Sequence, residues 1–390
     1  MADSVNDVVL EVQGRMGLVT LNRPRALNAL SLPMIRALTT GLLTWRDDPQ
    51  VLAVAVRGMG KGAAATQPGA PTVNMPFGAF CAGGDIRFFH QAALAGDPAL
   101  EDFFTEEYAL NHLIHTYPKP FIAMMDGVVM GGGMGIAQGG SLRLVTERTK
   151  MAMPETQIGL FPDVGGGYFL SRCPGRLGEY LALTGLVLGG RQAVAWGLAD
   201  GYVESQQLPN LWARIATAPF ETGAAVEHWI TTQFIANHAH QPGARGRIDA
   251  IFGLPSVLAM LDALDTLAAT PDAAGASTVF SGPEWARATA AALRQRSPLM
   301  LEVTLEQVRR ARHMGLADEL RMERDLVRHC FQLRPGAASD TVEGIRALAV
   351  DKDHSPRWNP ARQDGVTPEM VAPFFVSPWP AHAHPLRYLR

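Results

Sequence analysis

Two carboxylates, Glu155 and Asp163, stand eight residues apart in Met153-Pro-Glu-Thr-Gln-Ile-Gly-Leu-Phe-Pro-Asp-Val-Gly-Gly-Gly167, flanked by apolar and glycine residues. Acidic side chains are almost never fully buried unless paired or functional. Two in one apolar loop therefore suit base or nucleophile chemistry, their environments setting their pKa values apart. A turn aspartate after Pro162 and a capping glutamate account for the same residues without chemistry. A third acid emerges from periodicity. In a helix expected over 100–115, Phe103, Leu110, Ile114 and Tyr117 mark one apolar stripe, and Glu107 falls inside it. Glu101, Asp102 and Glu106 fall off the stripe and read as a solvated face. Buried in the stripe, Glu107 needs a partner, either an arginine or a polar group of a ligand.

Glycines give the second signal. Of the 39, 26 lie between Gly58 and Gly201, so the chain crowds tight turns or close backbone approaches into that segment. Phe80-Cys-Ala-Gly-Gly-Asp85 leads into a helix expected from Ile86, and Met130-Gly-Gly-Gly-Met-Gly135 lies between a strand and a helix. N–H groups at such starts favour negative charge. Two converging pairs would form an oxyanion hole; two close-packed glycine turns are the alternative.

Other chemistries find no support. The chain lacks a phosphate-binding Gly-x-x-x-x-Gly-Lys loop, a Gly-x-Gly-x-x-Gly fingerprint, His-Glu-x-x-His and a Gly-x-Ser-x-Gly elbow. His238/His240 and His382/His384 lack adjacent carboxylates and read as solvated histidines, so no metal is expected. Cys81, Cys173 and Cys330 are too scattered for a disulfide framework or a zinc site. A net charge of −3, with 47% hydrophobic and 18% charged residues, describes a globular chain without a nucleic-acid or membrane partner. The first residues show no signal or transit character, and a cytoplasmic protein is expected.

The elements that must position these residues alternate in the first half. A hairpin is expected from 8–12 and 18–21, and a helix after Ser31 with Ile35, Leu38, Leu42 and Trp45 inward. Strands follow at 51–56, 121–125 and 142–145, with a long loop over 58–79. This is an α/β pattern. After about 206 helical signals take over, at 210–218, 257–268, 284–295 and 298–314. Two regions follow, a core over 1–205 and a helical region over 206–390.

In order and spacing, Leu21-Asn-Arg-Pro-Arg-Ala-Leu-Asn-Ala-Leu30, Ala82-Gly-Gly-Asp85, Gly131–Gly133 and Pro154-Glu155 resemble the crotonase (enoyl-CoA hydratase/isomerase) superfamily. Phe103-Phe-Thr-Glu-Glu-Tyr108, the 152–170 segment, Ser297-Pro298, Glu319-Leu-Arg-Met-Glu323 and 343–353 are similar to its 3-hydroxyisobutyryl-CoA hydrolase branch. The resemblance implies a spiral of ββα units with an appended C-terminal helical region. It implies an acyl-CoA substrate, no cofactor beyond the CoA of the substrate, and leaves a homo-oligomer open. It assigns the oxyanion hole to the N–H groups of Gly84 and Gly132, and catalysis to Glu155 and Asp163. It gives Glu107 the substrate's hydroxyl, and Arg25 and Arg87 the CoA phosphates. Hydratases carry a further glutamate where this chain has Gly135, so thioester hydrolysis is expected rather than hydration. An isomerase with Glu155 alone, or a non-catalytic CoA-binding protein, are the alternatives.

Overall fold

Alternating β-branched residues form a hairpin, β1 (Val8–Gln13) against β2 (Met16–Leu21), turning at Gly14 with φ +56°. β3 (Ala53–Gly58), β4 (Phe121–Met125), β6 (Leu142–Val145) and β9 (Gly201–Tyr202) extend it in parallel, in the order β1-β2-β3-β4-β6-β9. A second sheet holds β5 (Val128–Met130), β7 (Lys150–Ala152) and β8 (Leu188–Gly189). Successive strands thus pass from the large sheet to the small one, β4 to β5 and β6 to β7. β2, β3 and β4 of the large sheet are buried throughout, which is why they read as apolar runs without alternation. The computed structural model describes residues 7–60, 76–235, 242–270 and 280–390.

Two compact units interleave along the chain. The first comprises Met1–Asp85, Ala109–Ala152 and Val187–Ala239 and holds both sheets. Its core joins Met16, Leu18, Ala55, Ile122, Met124 and Leu144 to Leu211, Trp212 and Ile215 of the helix Leu208–Thr217. The second comprises Ile86–Tyr108, Met153–Leu186 and His240–Arg390, and its described regular elements are all helical. Helices do replace strands after about 206, as expected. The units, however, exchange chain at 86, 109, 153, 187 and 240 instead of dividing once at 206. Burial of the early helix 86–95 and of the 153–186 segment among later helices is a long-range effect that local composition does not signal.

The expected helix after Ser31 spans Leu32–Asp47 and buries Ile35, Leu38, Leu42 and Trp45, although the Ser31 side chain makes no capping bond. The expected helix over 298–314 ends at Ala311, and a separate one, Leu316–Gln332, starts after Gly315. Residues 61–75 of the expected long loop lie outside the described residues. Its ends are joined, with Gly60 N donating to Pro76 O (2.9 Å) and Met59 bridged to Phe77.

The Asn-Arg-Pro-Arg segment shapes the first glycine turn. Leu27 and Asn28 both have positive φ, +51° and +57°. The buried Asn28 amide donates to Met59 O (3.1 Å) and Ala79 O (2.6 Å), while its oxygen accepts from Arg23 N (2.8 Å). Arg23 also reaches Ala29 O and pairs with Asp85 at 2.9 Å. Leu30 N then donates to Gly83 O and Asp85 N to Leu30 O, so the turn is laid down against a fixed strap. Asn28→Ala removes the partner of the buried Met59 carbonyl and of the half-buried Ala79 carbonyl and Arg23 N–H, at a cost of about 1–3 kcal/mol for each that water cannot reach. A lower urea midpoint is expected; an unchanged midpoint would contradict the strap.

Candidate active site

The two glycine turns of the first unit meet. Cys81 N donates to Val128 O and Met130 N to Cys81 O, both at 3.0 Å. A Cβ on Gly133 would lie 2.3 Å from Cys81 O, so only glycine lets the backbones approach this closely. Gly83 (φ +106°) stands beside Met130 O, Gly131 Cα and Gly132 N; a Cβ there would lie 3.4–3.7 Å from them. Gly132 opens the helix Gly132–Gln138. Neither Gly84 N–H nor Gly132 N–H donates to a described backbone carbonyl. The result is two backbone donors from neighbouring turns, suited to an oxygen that gains negative charge. Gly135 is buried in the same helix and offers no carboxylate.

The acids gather in the second unit. Glu107, Glu155 and Asp163 are all buried, at 2%, 7% and 5% exposure. Glu107 is held by the helix Ala99–His115, whose Phe103 and Phe104 stack with Phe89 at 4.8 and 4.9 Å between ring centres. Glu155 opens the 3-10 turn Glu155–Ile158, which ends at Gly159 with φ +67°. A Cβ on Gly159 would strike Asp340 O at 2.3 Å, and Thr341 Oγ1 donates to Gly159 O at 2.6 Å. The late helix Asp340–Ile345 thus fixes an early catalytic candidate, which gives the late sequence resemblance a physical basis.

Electrostatics separate the three acids. Burial, with Asp163 and Glu155 close by, pushes Glu107 well above the usual carboxyl range. Burial and Asp163 do the same to Glu155. Asp163 rises to about 7 through burial, opposed by the Tyr108 hydroxyl, which donates to Oδ2 at 2.9 Å. One oxygen of Glu107 and one of Glu155 have no hydrogen-bond partner, and no described arginine pairs with any of the three. The arginine partner considered for Glu107 is absent among the described residues. The polar-ligand alternative retains its physical motive.

Other expectations fare unevenly. Glu101 is not simply solvated: it is half-buried and pairs with Arg324 and, at 2.9 Å, with Arg328, because the helix Leu316–Gln332 packs there. His384 is buried rather than solvated, accepting from Leu386 N on Nδ1, with Nε2 3.4 Å from Asp325. His238 and His240 lie outside the described residues. Tyr117 falls beyond its helix and donates to Leu42 O at 2.7 Å. Arg25 is exposed on the turn Pro24–Ala26, within the first unit. Arg87 is exposed on the helix Ile86–Ala95, in the second unit, lining an open groove of about 700 Å³ with His90, Gln91 and Lys352. Sequence reasoning missed Tyr108, although it immediately follows Glu107. It also missed the buried acids Glu319 and Glu323, whose i, i+4 spacing inside an amphipathic helix was a readable sign.

A family profile described as enoyl-CoA hydratase/isomerase matches residues 16–375. The chain belongs to the enoyl-CoA hydratase/isomerase (crotonase) family. Among relatives of this family is "3-hydroxyisobutyryl-CoA hydrolase, mitochondrial" of Gallus gallus, 37% identical over 375 residues, 95% of this chain and 88% of that protein. Another is "Probable 3-hydroxyisobutyryl-CoA hydrolase 3" of Arabidopsis thaliana, 35% identical over 373 residues, 95% and 92% of the two chains. A solved structure named as a carnitinyl-CoA dehydratase from Mycobacterium thermoresistibile superposes with a TM-score of 0.79 at 35% identity, over 96% of this chain and 98% of its own. One named as an enoyl-CoA hydratase from Rhodobacter sphaeroides gives 0.80 at 33% identity over the same shares. The fold is the crotonase fold, with C-terminal helices. No described helix is long and apolar enough to cross a membrane.

A raised carboxyl pKa links folding to pH. The protonated acid contributes stability below its unfolded pKa, and that contribution is lost as pH rises through the folded value. For Asp163, raised from 3.8 to about 7, the loss is on the order of a few kcal/mol by pH 8. Glu107→Gln removes one such ionisation. The variant should show a higher urea midpoint than the parent at pH 8, with the difference shrinking toward pH 5. A difference independent of pH would contradict the assigned burial.

Proposed function

We propose that this protein hydrolyses the thioester of 3-hydroxyisobutyryl-CoA, releasing 3-hydroxyisobutyrate and free CoA, as a step of valine breakdown. The observation that carries the reading is the set Glu107, Glu155 and Asp163, buried without counter-charge, combined with glycine at position 135. Full-length relatives carrying the hydrolase name support it.

Thioester hydrolysis asks for donors to the carbonyl oxygen and for a base or nucleophile. Gly84 and Gly132 N–H are proposed as the donors, strengthening as the tetrahedral oxyanion forms. Glu155 is proposed to attack the carbonyl, giving a mixed anhydride, or to take a proton from water as it attacks. Glu155 is proposed to reach its basic form when its proton moves to Asp163. A carboxyl with a pKa of about 7 is well matched to accept that proton and return it to the departing CoA thiolate. Tyr108 holds Asp163 in place for this exchange. Glu107, with an unpartnered buried oxygen, is proposed to bind the substrate 3-hydroxyl, so acyl groups without it leave a buried polar atom unpaired. Arg25 and Arg87 are proposed contacts for CoA phosphates, as exposed guanidinium groups suited to them.

No metal or separate cofactor enters this scheme. A reducing compartment is part of the reading, since all three cysteines are buried and none is in a disulfide. The cytosol meets that condition, and the animal relatives are named mitochondrial. The rival is double-bond chemistry, favoured by the dehydratase and hydratase names of the structural neighbours. Gly135 weighs against it, because hydration in the two-glutamate manner lacks one partner.

Thiol release from 3-hydroxyisobutyryl-CoA tests the scheme. Glu155→Gln and Asp163→Asn should each lower kcat by about 100-fold or more, the range of lost acid–base catalysis. Glu107→Gln should act mainly on discrimination against isobutyryl-CoA. Unchanged rates in both Glu155→Gln and Asp163→Asn would sink the assignment. Single turnover in ¹⁸O-water tests the anhydride route: label in the Glu155 carboxylate means that the anhydride formed.

A further inference from the structure

Two more acids lie behind the Asp163 turn. Glu319 and Glu323, one helical turn apart on Leu316–Gln332, are both 0% exposed, and neither has an ion-pair partner among the described residues. Glu323 Oε2 accepts from Gly165 N at 2.8 Å, and its Oε1 accepts from Gly167 N at 3.3 Å and from Gln307 Nε2 at 3.0 Å. The same Gln307 Nε2 donates to Pro162 O at 2.8 Å. The stretch from Pro162 to Gly167 is therefore held on both sides of Asp163 by two side chains from distant helices.

That stretch needs holding. Val164 has φ +58°, a left-handed conformation that a β-branched residue adopts only under strain. Gly165 follows at φ +85°. The glycines admit the clamp: a Cβ on Gly167 would lie 2.4 Å from Glu319 Oε1 and 3.0 Å from Gln307 Nε2. Glu319 lines the clamp rather than closing it. Burial raises its pKa to about 7, and burial with Glu319 beside it raises that of Glu323 well above the usual carboxyl range.

We propose that Glu323, with Gln307, is a positioning residue that clamps the strained turn so that Asp163 is presented in one orientation. This deepens the hydrolase reading and rests on it for its catalytic consequence. The clamp itself is a statement about the backbone of residues 162–167. It involves no proton transfer to substrate and no contact with substrate.

The test compares the parent with Glu323→Gln, which replaces one acceptor oxygen by an amide donor, and with Gln307→Met, which removes the bond to Pro162. In thiol release from 3-hydroxyisobutyryl-CoA, Glu323→Gln should lower kcat by roughly 10- to 100-fold, the scale of a misplaced catalytic group, while KM changes by less than about threefold. Gln307→Met should show a smaller loss with the same split. Hydrogen exchange of the peptide spanning residues 160–170 reads the clamp without reference to activity, and should quicken in Glu323→Gln while peptides of the large sheet do not change. A parent that releases no thiol overturns the hydrolase reading alone. Unchanged exchange over 160–170, or kcat within twofold of an active parent, overturns the clamp. If neither variant folds, the pair is structural and the proposal is likewise overturned.

Discussion

Buried charge without counter-charge is the constraint around which this protein is built. Three other buried acids are neutralised by arginine: Glu179 meets Arg176 at 2.8 Å and Arg312 at 2.6 Å, Glu343 meets Arg346 at 2.8 Å, and Asp126 meets Arg148, while Asp340 is held by hydrogen bonds from Ser297 Oγ and Asn359 N. Glu107, Glu155, Asp163, Glu319 and Glu323 receive no such partner among the described residues. Removing a carboxylate from water costs several kcal/mol unless it is paired, so these groups keep protons to higher pH than solvated acids do. A fold that tolerates this has spent stability on reactivity, a pattern found where proton transfer is the task.

The helical second unit is what makes such burial achievable. The turn that carries Glu155 is tied by Thr341 and by close passage of Gly344, whose Cβ would fall 2.4 Å from the Ile158 carbonyl carbon. The turn that carries Asp163 is tied by Gln307 and Glu323. Helices appended late in the chain therefore act on loops set much earlier. The first unit contributes differently, offering backbone N–H groups that carry no net charge and are aimed by glycine geometry alone.

Much of this was legible in the sequence, and the reasons are local. Strands 121–125 and 142–145 fall where the apolar runs stand, because a run buried on both faces needs no alternation. Glu107 was found by helical period alone. The Gly83 and Gly131–Gly133 turns were visible as composition, although only the approach of Gly133 to Cys81 shows that they converge. What was hidden depends on contacts between residues far apart in the chain. Tyr108 looked like an ordinary aromatic until its hydroxyl met Asp163, 55 residues on. Glu319 and Glu323 stand at an i, i+4 spacing visible in the sequence, but their hold on Gly165 and Gly167 joins residues more than 150 apart in the chain. The interleaving of units escaped for the same reason, since nothing local marks residues 86–108 or 153–186 as neighbours of the C-terminal helices. The Asn28 strap was quoted as a motif, but its role as a hydrogen-bonding hub follows from carbonyls 31 and 51 residues away.

The central claim is that an uncompensated set of buried acids, with Gly135 in place of the first of the two hydratase glutamates, commits this fold to breaking a thioester. The most direct measurement presents one preparation of the protein with 3-hydroxyisobutyryl-CoA, a 2-enoyl-CoA and a 3-enoyl-CoA, following free thiol and double-bond changes together. The account predicts thiol release from 3-hydroxyisobutyryl-CoA as the dominant reaction, with little hydration or bond migration in the enoyl substrates. Hydration or isomerisation exceeding thiol release would contradict it.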